Sequence, residues 1–348
     1  VRLAGCFVAA VVVLFYKCIA PFRWAPSPDW RRDVGRLGIL GMLVIYWRCW
    51  KMQPSPPPHP SIAAKAARDV VVIVQCESFA DPAMFVAALR GLFSTVAQDT
   101  ALPALMRAAE HATWRGGLQV SGFGAYTMRT EYGVLFGREE ADLGFRQYDP
   151  LLTAEQEKTY ALSYQLRVAG YHTVFMHPHN LAFYGRDRLM PAIGFDEIDS
   201  CSDVSFVSTR QDPYMPDSML ADRMIEKIRT TPEPLFLYAV TMENHAPWPG
   251  TPQEALGHYL RHLQNSDRMV GKLMDALTAT DKAGLLVFFG DHRPSIPGVT
   301  LVIFTVCGNL KVVLRLADGG DFRIGVDHRR DGGIIDVTGL AGEDFGDG

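Results

Sequence analysis

The sequence is poor in cysteine, and no two of its six, Cys6, Cys18, Cys49, Cys76, Cys201 and Cys307, fall at a CxxC or zinc-knuckle spacing. A disulfide scaffold and a cysteine-zinc module are thereby excluded. Buried free thiols are expected, because cysteine packs as a small apolar residue. A Cys201–Cys307 bridge is the alternative in an oxidising compartment. The chain also lacks a basic excess: 34 Lys and Arg face 38 Asp and Glu, for a formal charge of −4. With no global positive field to collect phosphates, no nucleic-acid partner is expected. Nor does any charge-free run reach the roughly 20 residues that a spanning helix needs. What is present, 348 residues that are 48% apolar and 21% charged, excludes a disordered or collagen-like chain. It suffices for one large α/β domain or two small ones.

A mean hydropathy of +0.03 is high, and the excess lies in the first fifty residues. Leu3 to Tyr16 is fourteen residues without a charge, and the run continues past Lys17 to Pro21. It reaches spanning length if Arg2 and Lys17 snorkel to the interfaces. A second run, Leu37 to Trp47, is only eleven residues. It reads as a short span or as a buried or interfacial helix with Trp47 and Trp50 at headgroup depth. Lys17, Arg23, Arg31, Arg32 and Arg36 lie between the runs, so the positive-inside rule puts that loop in the cytoplasm and later residues outside. The first residue is Val rather than Met, read as a fragment missing earlier spans. Residues 1–50 are thus assigned to the membrane, and 51–68, with Pro54-Ser-Pro-Pro-Pro-His-Pro60, to an extended proline-rich linker.

From Asp69 the pattern changes. Val70–Val74, Thr173–Met176, Leu235–Val240 and Leu285–Phe289 are short apolar runs without alternation, as in strands buried on both faces of a parallel sheet. Helix-like stretches lie between them: Thr153 to Ala169, Asp217 to Thr230 and Gln253 to Ala279. The alternation predicts a doubly wound, mostly parallel sheet. In such sheets chemistry gathers beyond the carboxyl ends of the strands.

Those strand ends carry Glu77, His177, the segment Thr241-Met-Glu-Asn-His245, and Gly290-Asp-His292. Carboxylate and imidazole together suit a divalent cation. Gly122-Phe-Gly-Ala-Tyr-Thr127, followed by Glu131, adds a hydroxyl beside glycines that let a backbone approach a ligand. Thr127 is either a nucleophile or a plain helix cap with Glu131 one turn on. Arg129 and Arg188 are assigned to structural salt bridges.

In this order the motifs resemble the sulfatase-like branch of the alkaline phosphatase superfamily, specifically the lipoteichoic acid synthase type of membrane phosphoglycerol transferase. Ile73-Val-Gln-Cys-Glu-Ser-Phe79 resembles the first-strand element whose Glu, here Glu77, binds metal. Thr127 with Glu131-Tyr-Gly-Val-Leu135 resembles the nucleophile element. His177 through Phe183-Tyr-Gly-Arg-Asp187, with Ile193-Gly-Phe-Asp196, resembles the phosphoglycerol-binding segment. Thr241 to His245 resembles the strand-end His facing phosphate, and Phe289-Gly-Asp-His292 the pair completing the metal site. Tyr184 stands where Gram-positive synthases carry Trp. The wording Met-Glu-Asn-His-Ala-Pro-Trp248 and Gly-Asp-His-Arg-Pro-Ser295 is closer to proteobacterial members, some near capsule or membrane-glycan genes.

The resemblance implies an α/β three-layer sandwich with a mostly parallel sheet over residues 69–306, preceded by membrane helices. Residues 307–348 form a Gly/Asp-rich tail expected to be poorly ordered. It implies one divalent ion, manganese before magnesium or zinc, on Glu77, Thr127, Asp291 and His292. Thr127 and His245 are then catalytic, and His177, Tyr184, Arg186 and His245 bind substrate. The implied donor is a phosphatidylglycerol-like phospholipid, the acceptor a glycan or water, and the location the periplasmic side of a bacterial inner membrane. Sulfuric ester hydrolysis, phosphoethanolamine transfer and an inactive capsule-assembly module are the alternatives. The first lacks its Cys/Ser-x-Pro-x-Arg frame around Thr127.

Overall fold

Seven consecutive residues, Val70–Cys76, form the central strand β1, and all seven are buried. The structure, a computed structural model, describes residues 21–59, 68–82, 100–118, 120, 125–296, 298–299 and 309–316. Along the chain β1 is followed by β2 (Ala112–Leu118), β3 (His172–Met176), β4 (Glu197–Asp199), β5 (Leu235–Val240), β6 (Gly284–Gly290) and β7 (Asn309–Leu316). The sheet order is β2-β7-β6-β1-β5-β3-β4. Strands β6, β1, β5, β3 and β4 run parallel, and β7 and β2 add an antiparallel edge.

Both faces of the sheet are covered, which is why its central strands are apolar at every position. Val70, Val72 and Val74 pack on one side with Leu235, Leu237, Leu286 and Phe288. They meet the helices Pro103–His111, Asp217–Thr230 and Pro252–Thr278 through Leu105, Leu220, Met224, Leu263 and Leu273. On the other face Phe175 meets Phe195 edge to face at 5.5 Å and Tyr238 stacked at 6.2 Å. Each fully buried aliphatic side chain contributes about 1.5 to 3 kcal/mol.

Two sequence expectations need correction here. The stretch Thr153–Ala169 is not one helix: a 3-10 segment, Pro150–Tyr160, gives way at Ala161, whose ψ of 126° is extended, to a short α-helix, Leu162–Val168. The stretch assigned to a tail from residue 307 contains β7; residues 317–348 lie outside the described residues. In the proline-rich stretch the Tyr160 hydroxyl donates to the Pro57 carbonyl at 2.8 Å and the His59 amide donates to Thr159 Oγ1 at 3.0 Å. Cys49, Cys76 and Cys201 are buried free thiols, and Cys307 lies outside the described residues.

The chain divides into two units, residues 57–139 with 149–348, holding the sheet, and residues 1–56 with 140–148. In the second of these, the helix Trp30–Met52 is capped by Asp29, which accepts from the Arg32 amide at 3.0 Å, and is interrupted at Gly38, whose φ is +68°. Ile45 and Cys49 pack with Ala25 and Phe145. The Leu37–Trp47 run is not a buried helix: Ile39, Leu40, Leu43, Val44 and Trp47 are exposed, Leu40 at 80%. Among the described residues no helix is long and apolar enough to cross a membrane. The expected span Leu3–Tyr16 lies outside the described residues.

Candidate active site

The carboxyl ends of β6, β1, β5 and β3 lie side by side in the sheet, and the residues just beyond them share one buried site. Glu77 follows β1, and its amide donates to Thr241 Oγ1 beyond β5 at 3.0 Å. Asp291 and His292 follow β6. Asp291 Oδ1 accepts from the amides of Ser78 at 2.8 Å and His292 at 2.7 Å. The turn after β1 puts Ser78 in the left-handed region at φ +50°, and its hydroxyl donates to Glu77 Oε1 at 2.8 Å. Gly290 permits this approach of β6 to β1, because a Cβ there would lie 2.3 Å from the Phe79 carbonyl oxygen.

Glu77, Asp291 and His292 each offer a ligand atom, all within 4.8 Å of one another. His292 Nδ1–H donates to the Arg293 carbonyl at 3.2 Å, which leaves Nε2 facing inward, 3.4 Å from Glu77 Oε1 and 3.6 Å from Asp291 Oδ2. A backbone carbonyl that accepts from the far ring nitrogen commonly fixes a metal-binding tautomer in this way. Among the described residues Asp291 Oδ2 is buried with no hydrogen-bond partner. Burial, and then the charge of Asp291, push Glu77 well above the usual carboxylate range. An orphaned carboxylate oxygen, a second carboxyl that resists ionising beside it and an inward imidazole fit a divalent cation.

Thr127 enters from the helix Thr127–Phe136, where it is the first helical residue. Its Oγ1 lies 3.5 Å from Glu77 Oε2 and 3.4 Å from His292 Nε2. Three contacts fix this end of the helix. Thr130 Oγ1 donates to the Asp291 carbonyl at 2.7 Å. Gln75 Nε2 donates to the Thr127 carbonyl at 3.3 Å, and the Tyr238 hydroxyl donates to Gln75 Oε1 at 2.6 Å. Plain capping by Thr127 is not what the structure shows: Tyr126 holds the cap position at φ +74°, and among the described residues no side chain caps the helix. The Glu131 carboxylate is engaged elsewhere, by Arg186.

That pairing joins the helix that begins at Thr127 to the segment that carries Tyr184 and Arg186. Arg186 Nη2 donates to Glu131 Oε2 at 2.6 Å and Nε donates to both carboxylate oxygens, at 3.3 and 3.2 Å. Arg186 Nη1 donates to His177 Nε2 at 3.2 Å, while His177 Nδ1–H donates to the Val240 carbonyl at 2.9 Å. Both His177 nitrogens are therefore committed within the protein. Burial and the adjacent Arg186 hold its pKa down to about 3. His177 thus contacts Arg186 through Nε2. Tyr184, at φ +58°, lies over the Arg186 guanidinium at 5.1 Å. His245 is half-buried; its Nδ1–H donates to the Ala246 carbonyl at 2.6 Å, leaving Nε2 available, and burial and His292 lower its pKa. Arg129 lies over the Tyr126 ring at 4.3 Å. Arg188 has no ion pair among the described residues, against the salt bridge expected for it.

Gln75, Tyr238 and Thr130 were not among the sequence candidates. Gln75 and Tyr238 did carry a signal, since each is a hydrogen-bonding residue inside an otherwise apolar strand.

The sulfatase family model matches residues 69–329. A capsular polysaccharide biosynthesis protein, RkpI of Rhizobium meliloti, is 31% identical over 231 residues, 65% of this chain and 41% of that protein. The chain thus spans about two fifths of that relative's length. The phosphoglycerol transferase GacH of Streptococcus pyogenes, solved with sn-glycerol-1-phosphate, superposes with a TM-score of 0.54 at 20% identity, over 77% of this chain and 71% of that one. An integral membrane lipooligosaccharide phosphoethanolamine transferase from Neisseria meningitidis does so with a TM-score of 0.52 at 14% identity, over 89% and 60%. At such identities the two structures establish likeness of fold.

Proposed function

Since the chain belongs to the sulfatase family and shares its fold with phosphoglycerol and phosphoethanolamine transferases, we propose that it is a metal-dependent phosphoglycerol transferase or phosphodiesterase that uses Thr127 as nucleophile. Glu77, Asp291 and His292 would hold the ion, manganese before magnesium or zinc, with Thr127 as fourth ligand. When bound, the ion supplies Lewis acidity that lowers the pKa of a hydroxyl beside it and offsets charge on phosphoryl oxygens.

Thr127 Oγ attacks the phosphorus of a phospholipid diester and the bond from phosphorus to the lipid alcohol breaks. His245 Nε2, unprotonated because Nδ1 keeps the ring proton, takes the proton that Thr127 gives up and passes it to the departing alcohol. Arg186, pre-oriented by Glu131 and His177, directs its remaining N–H groups at the phosphoryl oxygens. The phosphothreonine is then attacked by a second hydroxyl; His245 takes that proton and returns it to Thr127 Oγ as the bond from phosphorus to Thr127 breaks.

The donor in this reading is phosphatidylglycerol-like. The capsular role of RkpI favours an envelope glycan, or water, as acceptor. The domain lies outside the cytoplasmic membrane, as the Lys17–Arg36 charge pattern implies. The observation that carries the proposal is the placement of Thr127 Oγ1 3.5 Å from Glu77 and 3.4 Å from His292, beside the orphaned Asp291 oxygen. Sulfate ester hydrolysis is disfavoured because threonine stands at the nucleophile position. Release of diacylglycerol from labelled phosphatidylglycerol with manganese present tests the proposal: Thr127→Ala should abolish it, and unchanged release would remove the nucleophile assignment.

A further inference from the structure

Two wholly buried polar side chains sit in strands that are otherwise apolar, Gln75 in β1 and Tyr238 in β5. Each is costly there unless it is hydrogen-bonded. The Tyr238 hydroxyl donates to Gln75 Oε1 at 2.6 Å, and burial holds the phenol well above its ordinary pKa, so it remains a donor. Because that bond occupies the amide oxygen, the amide nitrogen is the end that meets the nucleophile helix, and Nε2 donates to the Thr127 carbonyl at 3.3 Å. The arrangement is directional. Without the phenol, the amide would be free to turn over and set its oxygen against the carbonyl oxygen.

A second path reaches the same helix from the same strand. Two residues after Tyr238, the Val240 carbonyl accepts from His177 Nδ1–H at 2.9 Å; His177 Nε2 accepts from Arg186, and Arg186 donates to Glu131. Glu131 lies one helical turn beyond Thr127. The two paths therefore close into a circuit that begins and ends on β5, and the parallel pairing of Gln75 with Val240 fixes its base. This circuit carries the hydroxyl that attacks and the guanidinium that receives the phosphoryl oxygens. Attack depends on their separation, since a displacement of about 1 Å costs on the order of a hundredfold in rate. Tyr126 starts the helix at φ +74°, and among the described residues no side chain caps it. The position of this helix end thus rests on contacts from outside the helix.

We propose that Gln75 and Tyr238 are positioning residues, a hydrogen-bond relay that sets Thr127 Oγ relative to Arg186 for the attack on phosphorus. The inference rests on the nucleophile reading above. The relay serves the attack step, so the rate of that step carries its effect and KM does not.

The test uses the manganese-loaded full chain, Tyr238→Phe, which removes one oxygen, Gln75→Met, which keeps the shape of the side chain, and the double variant. Each is checked for folding by circular dichroism and for stability by its urea midpoint. Phosphatidylglycerol and bis(p-nitrophenyl) phosphate are the substrates, and the single-turnover rate at saturation isolates the attack step from later ones. Loss of one hydrogen bond corresponds to about a tenfold effect, so each single variant should be about tenfold slower on both diesters, with KM within about twofold of wild type. The double variant should be no slower than Gln75→Met, because Tyr238 acts only through the amide. A lowered urea midpoint with an unchanged rate in the folded chain is the mark of a purely structural pair and would overturn the relay. So would a rise in KM at constant rate, additive losses in the double variant, or loss of the fold in Tyr238→Phe. A wild-type chain inert toward both diesters, or no faster than Thr127→Ala, would instead overturn the nucleophile reading beneath it.

Discussion

The Arg186 guanidinium and the Glu131 carboxylate meet at 2.6 Å with 2% and 0% of their side chains exposed. This buried pair ties the helix that begins at Thr127 to the segment that carries Tyr184 and Arg186. Removing one partner strands the other charge, at a cost of about 3 to 5 kcal/mol. Glu131→Gln is therefore expected to lower the urea midpoint by the equivalent of several kcal/mol and to abolish diester turnover. A shift below about 1 kcal/mol would mean that the pair does not hold the two elements together.

Metal is expected to stabilise the folded chain through Glu77, Asp291 and His292. A ligand at a hundred times its Kd adds about 2.7 kcal/mol. Melting curves of wild type should shift upward with manganese, and those of Asp291→Ala should not. An equal shift in the two proteins would place the ion elsewhere.

The state of His177 gives the stability a definite acid dependence. Its folded pKa is held down to about 3, against an ordinary value near 6.5. As pH falls through that window the unfolded chain binds a proton that the folded chain refuses, so stability present above pH 6.5 is lost. The slope from this group is about 1.4 kcal/mol per pH unit. Urea midpoints at pH 7, 6 and 5 should fall less steeply in His177→Gln than in wild type; parallel lines would show that His177 titrates normally.

Gly290→Ala would set a Cβ 2.3 Å from the Phe79 carbonyl oxygen, a clash with backbone that no rotamer relieves. Overpacking of this kind costs about 1 to 3 kcal/mol. Because Asp291 is the next residue, the variant should also bind manganese more weakly by calorimetric titration. Wild-type stability with wild-type affinity would show that β1 and β6 can separate without disturbing the site.

Much of this architecture can be read from the sequence, for reasons visible in particular residues. Central parallel strands must be apolar on both faces, so β1, β3, β5 and β6 stand out as unbroken runs, and Glu77, His177 and Asp291 follow them at once. The edge strands do not stand out: β4 has three residues, and β2 contains Gly116 and Gly117. Partnerships across the fold are equally silent. Gln75 lies 52 residues from Thr127 and 163 from Tyr238, and nothing local marks them as partners. His177 shows the limit for the site, since its presence at a strand end is legible but its commitment to Arg186 and Val240 is not.

The central claim, that Thr127 carries the group being transferred, is tested most directly by intact-protein and peptide mass spectrometry. The manganese-loaded chain would be quenched in acid after brief exposure to phosphatidylglycerol. The account expects one phosphoglycerol adduct per chain on the peptide containing Thr127, absent from Thr127→Ala and discharged when acceptor is added. Turnover by Thr127→Ala at the wild-type rate, with no adduct on either protein, would contradict it.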